Sequence, residues 1–272
     1  MSTTKLTFRK RPTVGRGLFL ALVVAMYLFL LAPLLIVVVI SLSSNQFISF
    51  PPEGFTFHWY AELANQPRFG EGLKNSLITA GVCTVIVALI GVPASLAIQR
   101  GSFRGRGMVE AFLLSPLLVP VIVTALGLTL LLGPLGLTNT YFSIILGHIG
   151  VTLPYLMRTT LVALQTSDTS CEEAARVLGA PSMVVFGRVT LPIIAPGVIA
   201  GAVLAFIVSF DEVVVSLFVA QSGRPTLPVH IMQYVENSAD GTVAALSVVL
   251  IAFSVLVVVV VERLTGLRNA LN

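Results

Sequence analysis

Six apolar blocks, separated by polar segments, recur along the chain at residues 17–43, 73–98, 108–132, 140–164, 192–220 and 243–264. A helix rises about 1.5 Å per residue, so roughly 20 apolar residues cross a hydrocarbon core of about 30 Å. Every block reaches that length. The pattern therefore predicts an all-α membrane protein of six transmembrane helices, and an even number of spans puts both termini on one side.

The basic residues choose the side. Lys5, Arg9, Lys10, Arg11 and Arg16 precede the first block, and Arg100, Arg104 and Arg106 follow the second. Arg158, Arg176 and Arg188 lie around the loop after the fourth, and Arg263 and Arg268 close the chain. Of the 16 Lys and Arg, only Arg68, Lys74 and Arg224 remain for the opposite face. Positive residues concentrate in cytoplasmic loops, so both termini are assigned to the cytoplasm. The expected layout is a basic cytoplasmic tail (1–16), a first span (17–43), an external loop (44–72), a five-helix core (73–264) and a terminal tail (265–272).

Composition agrees with lipid as the main solvent. Hydrophobic residues make up 56% of the 272 and charged residues 10%, against about 25% charged in soluble domains. The formal charge of +4 then reflects topology, and no nucleic-acid partner is expected. The basic start before an apolar stretch has the outline of a signal peptide. That stretch is too long and lacks a small-residue cleavage site, so it is read as a retained span. Cys83 and Cys171 have no metal-binding spacing and are read as free thiols. The external loop carries Trp59 and Tyr60, which suit an interfacial helix.

The only long internal loop, 165–191, reads QTSDTSCEEAARVLGAPSMVVFGRVTL. Thr169 with Glu172, and Ser170 with Glu173, have the spacing of a capping box. A short helix through Leu178 would end at Gly179 in the left-handed conformation, and Pro181 suits the first turn of a second short helix. Ala174, Ala175 and Ala180 permit close approach beside Met183, Val184 and Phe186. Two readings stand: a docking knob, or an amphipathic hairpin on lipid headgroups.

The run Glu173, Ala174, Ala175, then Gly179, Val189, Leu191 and Pro192, resembles the signature loop of binding-protein-dependent importer permeases, with support from Asn75, Ser76 and Leu77 and the Arg-Gly loop after span two. The resemblance implies a type I ATP-binding-cassette importer permease fold in the bacterial inner membrane. It further implies that Glu173, Ala174, Ala175, Gly179, Ala180 and Pro181 enter a groove on a cytoplasmic ATPase subunit. The implied partners are two ATPase subunits, a second permease subunit (a paralogue in preference to a copy), an extracytoplasmic solute-binding protein and membrane lipid. The chain has no GxxxxGK[ST] phosphate loop. It is thus expected to be non-catalytic and to bind no cofactor, with ATP and Mg on the partner.

Asp211 and Glu212 lie inside the fifth block, where charge is costly and usually faces a cavity or a partner. This run and TLPVHIMQYVE resemble the second permease of spermidine and putrescine importers, and carboxylates facing a pore favour a polyamine cation. The alternative is a structural contact, for example an ion pair with Arg158. On a continuous helix, adjacent residues point about 100° apart, so one carboxylate would face the pore and the other a helix. Pro93, Pro116, Pro120 and Pro154 are read as kinks, and His148 as bonding a backbone carbonyl in preference to lining the pathway. Gly197, Ala200, Gly201 and Ala205 line one face of the fifth helix, a candidate permease dimer interface. Other small organic solutes remain open as substrates. A stand-alone secondary transporter is the runner-up, although no inverted repeat or filter loop supports it.

Overall fold

The computed structural model describes residues 13–46, 49–220, 223–238 and 240–265. Most of the basic tail 1–16 and nearly all of the terminal tail 265–272 lie outside the described residues. What is described is almost wholly helical, and the chain divides into two compact units, Met1–Asn65 with Ser238–Ala252, and Gln66–Asn237 with Phe253–Asn272.

In the first unit the long helix α1 (Thr13–Ser41) precedes a tight polar turn and the short helix α2 (His58–Ala64). The turn is closed by Ser44 N–H donating to Gly54 at 3.0 Å and Thr56 N–H donating to Leu42 at 2.7 Å. Trp59 was expected at the lipid interface; it is buried instead, its indole N–H donating to the Ser43 carbonyl at 2.7 Å. The indole presses on Gly241, where a Cβ would meet the ring. Tyr60 shares a 2.8 Å hydrogen bond with Ser41. The aromatics left exposed in this segment are Phe50, Phe55 and Phe57.

The second unit is built on α3 (Pro67–Arg100), α6 (Tyr141–Thr166) and α9 (Leu191–Asp211), which pack against one another. Between hydrocarbon and lipid there is no hydrophobic gain from burying a leucine, so association depends on close packing. Cys83, Val87, Leu156, Leu164, Ile194 and Ala205 form the shared core. The small face of α9 makes this possible. A Cβ on Gly197 would meet Ala163, and one on Gly201 would meet Thr159 and stand 2.9 Å from the Leu156 Cα. The expected dimer face of Gly197, Gly201 and Ala205 is therefore turned inward on α6 of the same chain.

The third block, expected as one span, is broken. Helix α4 (Arg106–Leu114) runs into a 3₁₀ turn (Ser115–Leu117), and α5 (Val121–Leu132) leaves at 98° to it. Pro120 supplies no N–H and pushes the preceding residue out of the helical region. Pro116 sits in the 3₁₀ turn, so these two prolines mark the bend. Pro93 and Pro154 lie inside α3 and α6 without ending either.

Among the described residues, three helices are long and apolar enough to cross a membrane: Gly15–Ser41, Pro67–Arg100 and the continuous stretch Ser182–Asp211. The bent pair makes a fourth if it is one span. Helix α6 has the length, 26 residues, but His148, Thr152, Arg158 and Thr160 dilute its hydropathy. Helix α12 (Gly241–Thr265) has 25 residues.

Segment α11 (Leu227–Asn237) is pinned to the start of α3 by the Asn-Ser pair. Asn75 Nδ2 donates to the Pro225 carbonyl at 3.0 Å, Leu227 N–H donates to Ser76 Oγ at 2.9 Å, and Tyr141 donates to Asn75 Oδ1 at 2.7 Å. The Arg224 guanidinium lies 4.5 Å over the Tyr141 ring.

Because a side chain at 201 has no space against the α6 backbone, Gly201→Val is expected to destabilise the fold by about 1–3 kcal/mol. The same change at Gly127, where a Cβ would meet nothing within 4 Å, should cost less, and thermal unfolding of the detergent-solubilised proteins compares the two.

Candidate functional site

The loop after α6 folds from its own chemistry. Helix α7 spans Ser170–Val177. The expected capping boxes do not form, because Thr169 is already helical (φ −83°, ψ −13°) and its hydroxyl cannot reach back over the first turn. It bonds the Glu173 carboxylate at 3.3 Å instead. The cap is Asp168, whose Oδ1 accepts from Ser170 N–H at 2.9 Å. The Ser170 hydroxyl first, and this N–H bond second, hold the exposed Asp168 carboxyl below its ordinary value.

At the other end Gly179 has φ +83°, the left-handed conformation expected of it. Gly179 N–H donates to Arg176 at 2.9 Å and Ala180 N–H to Ala175 at 3.0 Å, the paired bonds of a Schellman motif. A Cβ on Gly179 would meet no atom within 4 Å of this chain. Its requirement within the chain is purely a backbone one.

The second helix of the loop differs from expectation. Pro181 is its cap (φ −66°, ψ 150°) and not part of its first turn. Helix α8 (Ser182–Val185) passes through a π-helical turn (Phe186–Thr190) directly into α9. Pro192 has no N–H for the Arg188 carbonyl and would crowd it, and a widened turn relieves that conflict. The stretch Ser182–Asp211 is thus one helix of 30 residues, about 45 Å long, which exceeds a hydrocarbon core by roughly 15 Å. The second half of the loop is thus the end of that long helix, and α7 is the separate short helix in front of it.

The tip is apolar and open. Val177, Leu178 and Met183 are 88%, 87% and 81% exposed, and of these only Met183 was legible as part of the knob. Phe186, expected beside it, packs inward on the core. Glu173, Ala174, Gly179 and Pro181 are exposed, and Ala175 and Ala180 half-buried. Glu172, in the first turn, is only 3% exposed. It pairs with Arg100 at the end of α3 at 3.3 Å and with Arg176 at 3.9 Å. Arg100 also donates to Ser167 Oγ at 2.9 Å. No spacing rule links residues 100 and 172, so sequence reasoning missed this pair.

The second group lies at the far end of α9. The fifth block does not continue to residue 220 as one helix: α9 stops at Asp211, Glu212 is extended (φ −71°, ψ 112°), and α10 (Val214–Ala220) begins anew. The 100° argument for Asp211 and Glu212 fails with that break. Glu212 Oε1 accepts from Val215 N–H at 3.1 Å, so it caps α10. Asp211 is exposed and makes no ion pair among the described residues. Neither carboxylate pairs with Arg158, for a geometric reason. Gly201 lies against Leu156 and Thr159, and Ser209 against His148, so the helices run antiparallel and Asp211 is level with the other end of α6.

His148 does not face an open pathway, and beside its backbone contact at Ser209 it bonds two side chains. Fully buried, it shares Nδ1 with Ser209 Oγ at 2.8 Å and Nε2 with Ser216 Oγ at 3.0 Å. One ring therefore joins α9 to α10 across the break. Gly147 makes room for it, since a Cβ there would strike Val215. Below, Thr152 Oγ1 donates to the His148 carbonyl at 2.7 Å and lies 3.2 Å from Cys83 Sγ.

The bundle thus carries a broken helix at one end of α9 and a projecting bent loop at the other. Residues 88–266 match the family described as binding-protein-dependent transport system inner membrane component. The chain belongs to that family. It is 33% identical over 246 residues to the spermidine/putrescine transport system permease protein PotC of Escherichia coli (strain K12), covering 90% of this chain and 93% of that one. It is 30% identical over 232 residues to the putrescine transport system permease protein PotI of the same strain, covering 83% and 82%. Its fold matches a crystal structure of a bacterial ABC transporter involved in the import of the acidic polysaccharide alginate, with a TM-score of 0.73 at 19% identity, over 94% of this chain and 98% of that one. This permease is thus a multi-pass inner-membrane subunit of an ATP-binding-cassette importer, without catalysis of its own, and ATP hydrolysis belongs to a partner.

The Asp168 cap generates a pH-dependent prediction. A carboxyl whose folded pKa is depressed contributes order that is present above its unfolded pKa, about 3.9, and lost as pH falls through the folded value. The protection factor of the amides of residues 169–173, the intrinsic exchange rate at each pH divided by the observed one, is expected to fall in Asp168→Ala at neutral pH, and to fall in the wild-type permease on acidification through the carboxyl's titration, with little acid effect in the variant.

Proposed function

We propose that this permease spans the membrane six times with both termini in the cytoplasm, docks an ATPase subunit through residues 165–191, and passes a polyamine cation beside Asp211. The observation that carries the reading is the loop's construction: a left-handed bend at Gly179 holds an exposed Val177, Leu178 and Met183 tip on the rigid extension of α9. An apolar tip of that kind fits a protein groove. Glu173, Ala174, Ala175, Gly179, Ala180 and Pro181 supply the remainder of the contact, and ATP with Mg resides on the partner. The full assembly contains a second permease, preferably a paralogue, two ATPase subunits and an extracytoplasmic binding protein.

Closure of the ATPase subunits displaces the tip, and the continuous helix Ser182–Asp211 carries that displacement to the break at residue 212. The break is where a solute meets both a carboxylate and open backbone. A helix C-terminus bears about half a negative charge, and Asp211 adds to it in place of the cation usual there. Half-helix C-terminal ends of this kind coordinate cations in transporters. Polyamine is favoured by this charge and by the names of the PotC and PotI relatives. Other small organic solutes are the second reading, and a stand-alone secondary transporter is disfavoured by family membership.

Gly179→Asp is expected to abolish uptake while the chain still reaches the membrane at its normal level, because it combines the positive-φ penalty of about 1–2 kcal/mol with a charge at the docking tip. Normal uptake by that variant would overturn the coupling role. For the pathway, a cation about 4 Å from a carboxylate gains roughly 1 kcal/mol in water and roughly 4 at an effective dielectric of 20. Asp211→Asn should therefore lower polyamine uptake about tenfold while sparing an uncharged analogue, and equal loss for both solutes would remove the charge filter.

A further inference from the structure

Helix α7 touches the rest of the permease in two ways. It packs chiefly on α8 and the π turn, which belong to the fifth span's helix. Its other attachment is Glu172, and that residue is anomalous. It is a carboxylate buried to 3% exposure on a helix whose other surface is mostly open. Burying a charge is costly unless it is paired, and its pairing partner outside α7 is Arg100, the last residue of α3. Arg176, at 3.9 Å, lies on α7 itself and links nothing further.

The surroundings of this ion pair are partly open. A cavity of 320 Å³ opens beside it, lined by Leu96, Ala97 and Gly101 from the α3 side and by Ser182, Val185 and Phe186 from the loop. Leu96 and Phe186 both pack on the shared core, so apolar contact holds α8 and the π turn near α3, whereas α7 itself reaches α3 through the ion pair. The guanidinium does more than bridge two elements. One nitrogen, Nη2, donates to Ser167 Oγ at 2.9 Å and to Glu172 at 3.3 Å, and Ser167 is the C-cap residue of α6. A single planar side chain therefore joins the cytoplasm-side ends of α3 and α6 to the coupling helix.

We propose that Arg100 is a positioning residue for transport: through Glu172 and Ser167 it ties α7 to the second and fourth spans, so that displacement of the tip moves those spans together with the fifth. The inference rests on the docking reading of residues 165–191. Without the clasp, α7 remains attached to α8 and the π turn alone, and the ATPase stroke reaches α3 and α6 only through their packing on α9. Hydrolysis then proceeds with little solute moved.

The test uses the complete importer in proteoliposomes, with permease pair, ATPase and binding protein. Docking is read by a thiol-to-amine crosslinker on Cys171, the exposed native thiol on α7. Coupling is read as solute taken up per ATP hydrolysed. Removing one charge strands the other, so the informative variant is the doubly neutral Arg100→Gln with Glu172→Gln. It is expected to insert, to keep the Cys171 crosslink to the ATPase, and to lose about tenfold in uptake per ATP. Arg100→Lys keeps the charge but not the planar fork and should lose about threefold. The reversed pair Arg100→Glu with Glu172→Arg should recover to within about twofold of wild type. Wild-type uptake per ATP in the doubly neutral variant, with its crosslink intact, overturns the proposal while leaving docking in place. No crosslink from Cys171 in the unaltered permease overturns the docking reading, and the proposal with it.

Discussion

In the hydrocarbon core no water is available to bond a backbone N–H or C=O, so every interruption of a helix must be compensated by the protein itself. The architecture of this permease is largely the set of those compensations. At residues 115–120 two prolines bend the chain by 98°, and a 3₁₀ turn with Ser115 Oγ donating to Phe112 at 2.7 Å absorbs the free groups. At 186–190 a π turn makes space for Pro192 without ending the helix. At 212–213 the helix does end, and Glu212 caps the restart while His148 holds its two halves through Ser209 and Ser216.

Residues 182–185, the π turn and α9 form one continuous helix about 45 Å long, and Val177 and Leu178 precede it across the Gly179 bend. The element finishes beside Asp211, whose carboxylate is unpaired among the described residues. Packing of α3, α6 and α9 through Gly201, Gly197 and Gly91 is close enough that a Cβ at any of them meets a neighbour. Such contacts resist sliding by fractions of an ångström, so displacement is transmitted rather than absorbed. Arg100 adds a polar link from the end of α3 to Ser167 and Glu172.

The apolar blocks, the left-handed Gly179 and the family of the chain were legible in the residues, because hydropathy, positive φ and a short motif are local properties. So were the existence of a structured loop and the presence of a costly acidic pair at Asp211 and Glu212. The capping of α7 was misread by one residue, since whether Thr169 or Asp168 takes the non-helical position is settled by how the loop leaves α6. Trp59 was misplaced because an indole's amphipathic character suits a lipid interface and a buried N–H bond equally well.

What the sequence by itself determined is therefore the content of each segment: where helices are apolar, where prolines and glycines interrupt them, and which charges lie at their ends. Only the tertiary structure decided which of those features meet. The pairing of Arg100 with Glu172, of His148 with Ser209 and Ser216, and of the α9 glycines with α6 joins residues tens of positions apart. Their distances are set by helix packing, a property of several segments together, and no local rule of spacing encodes it.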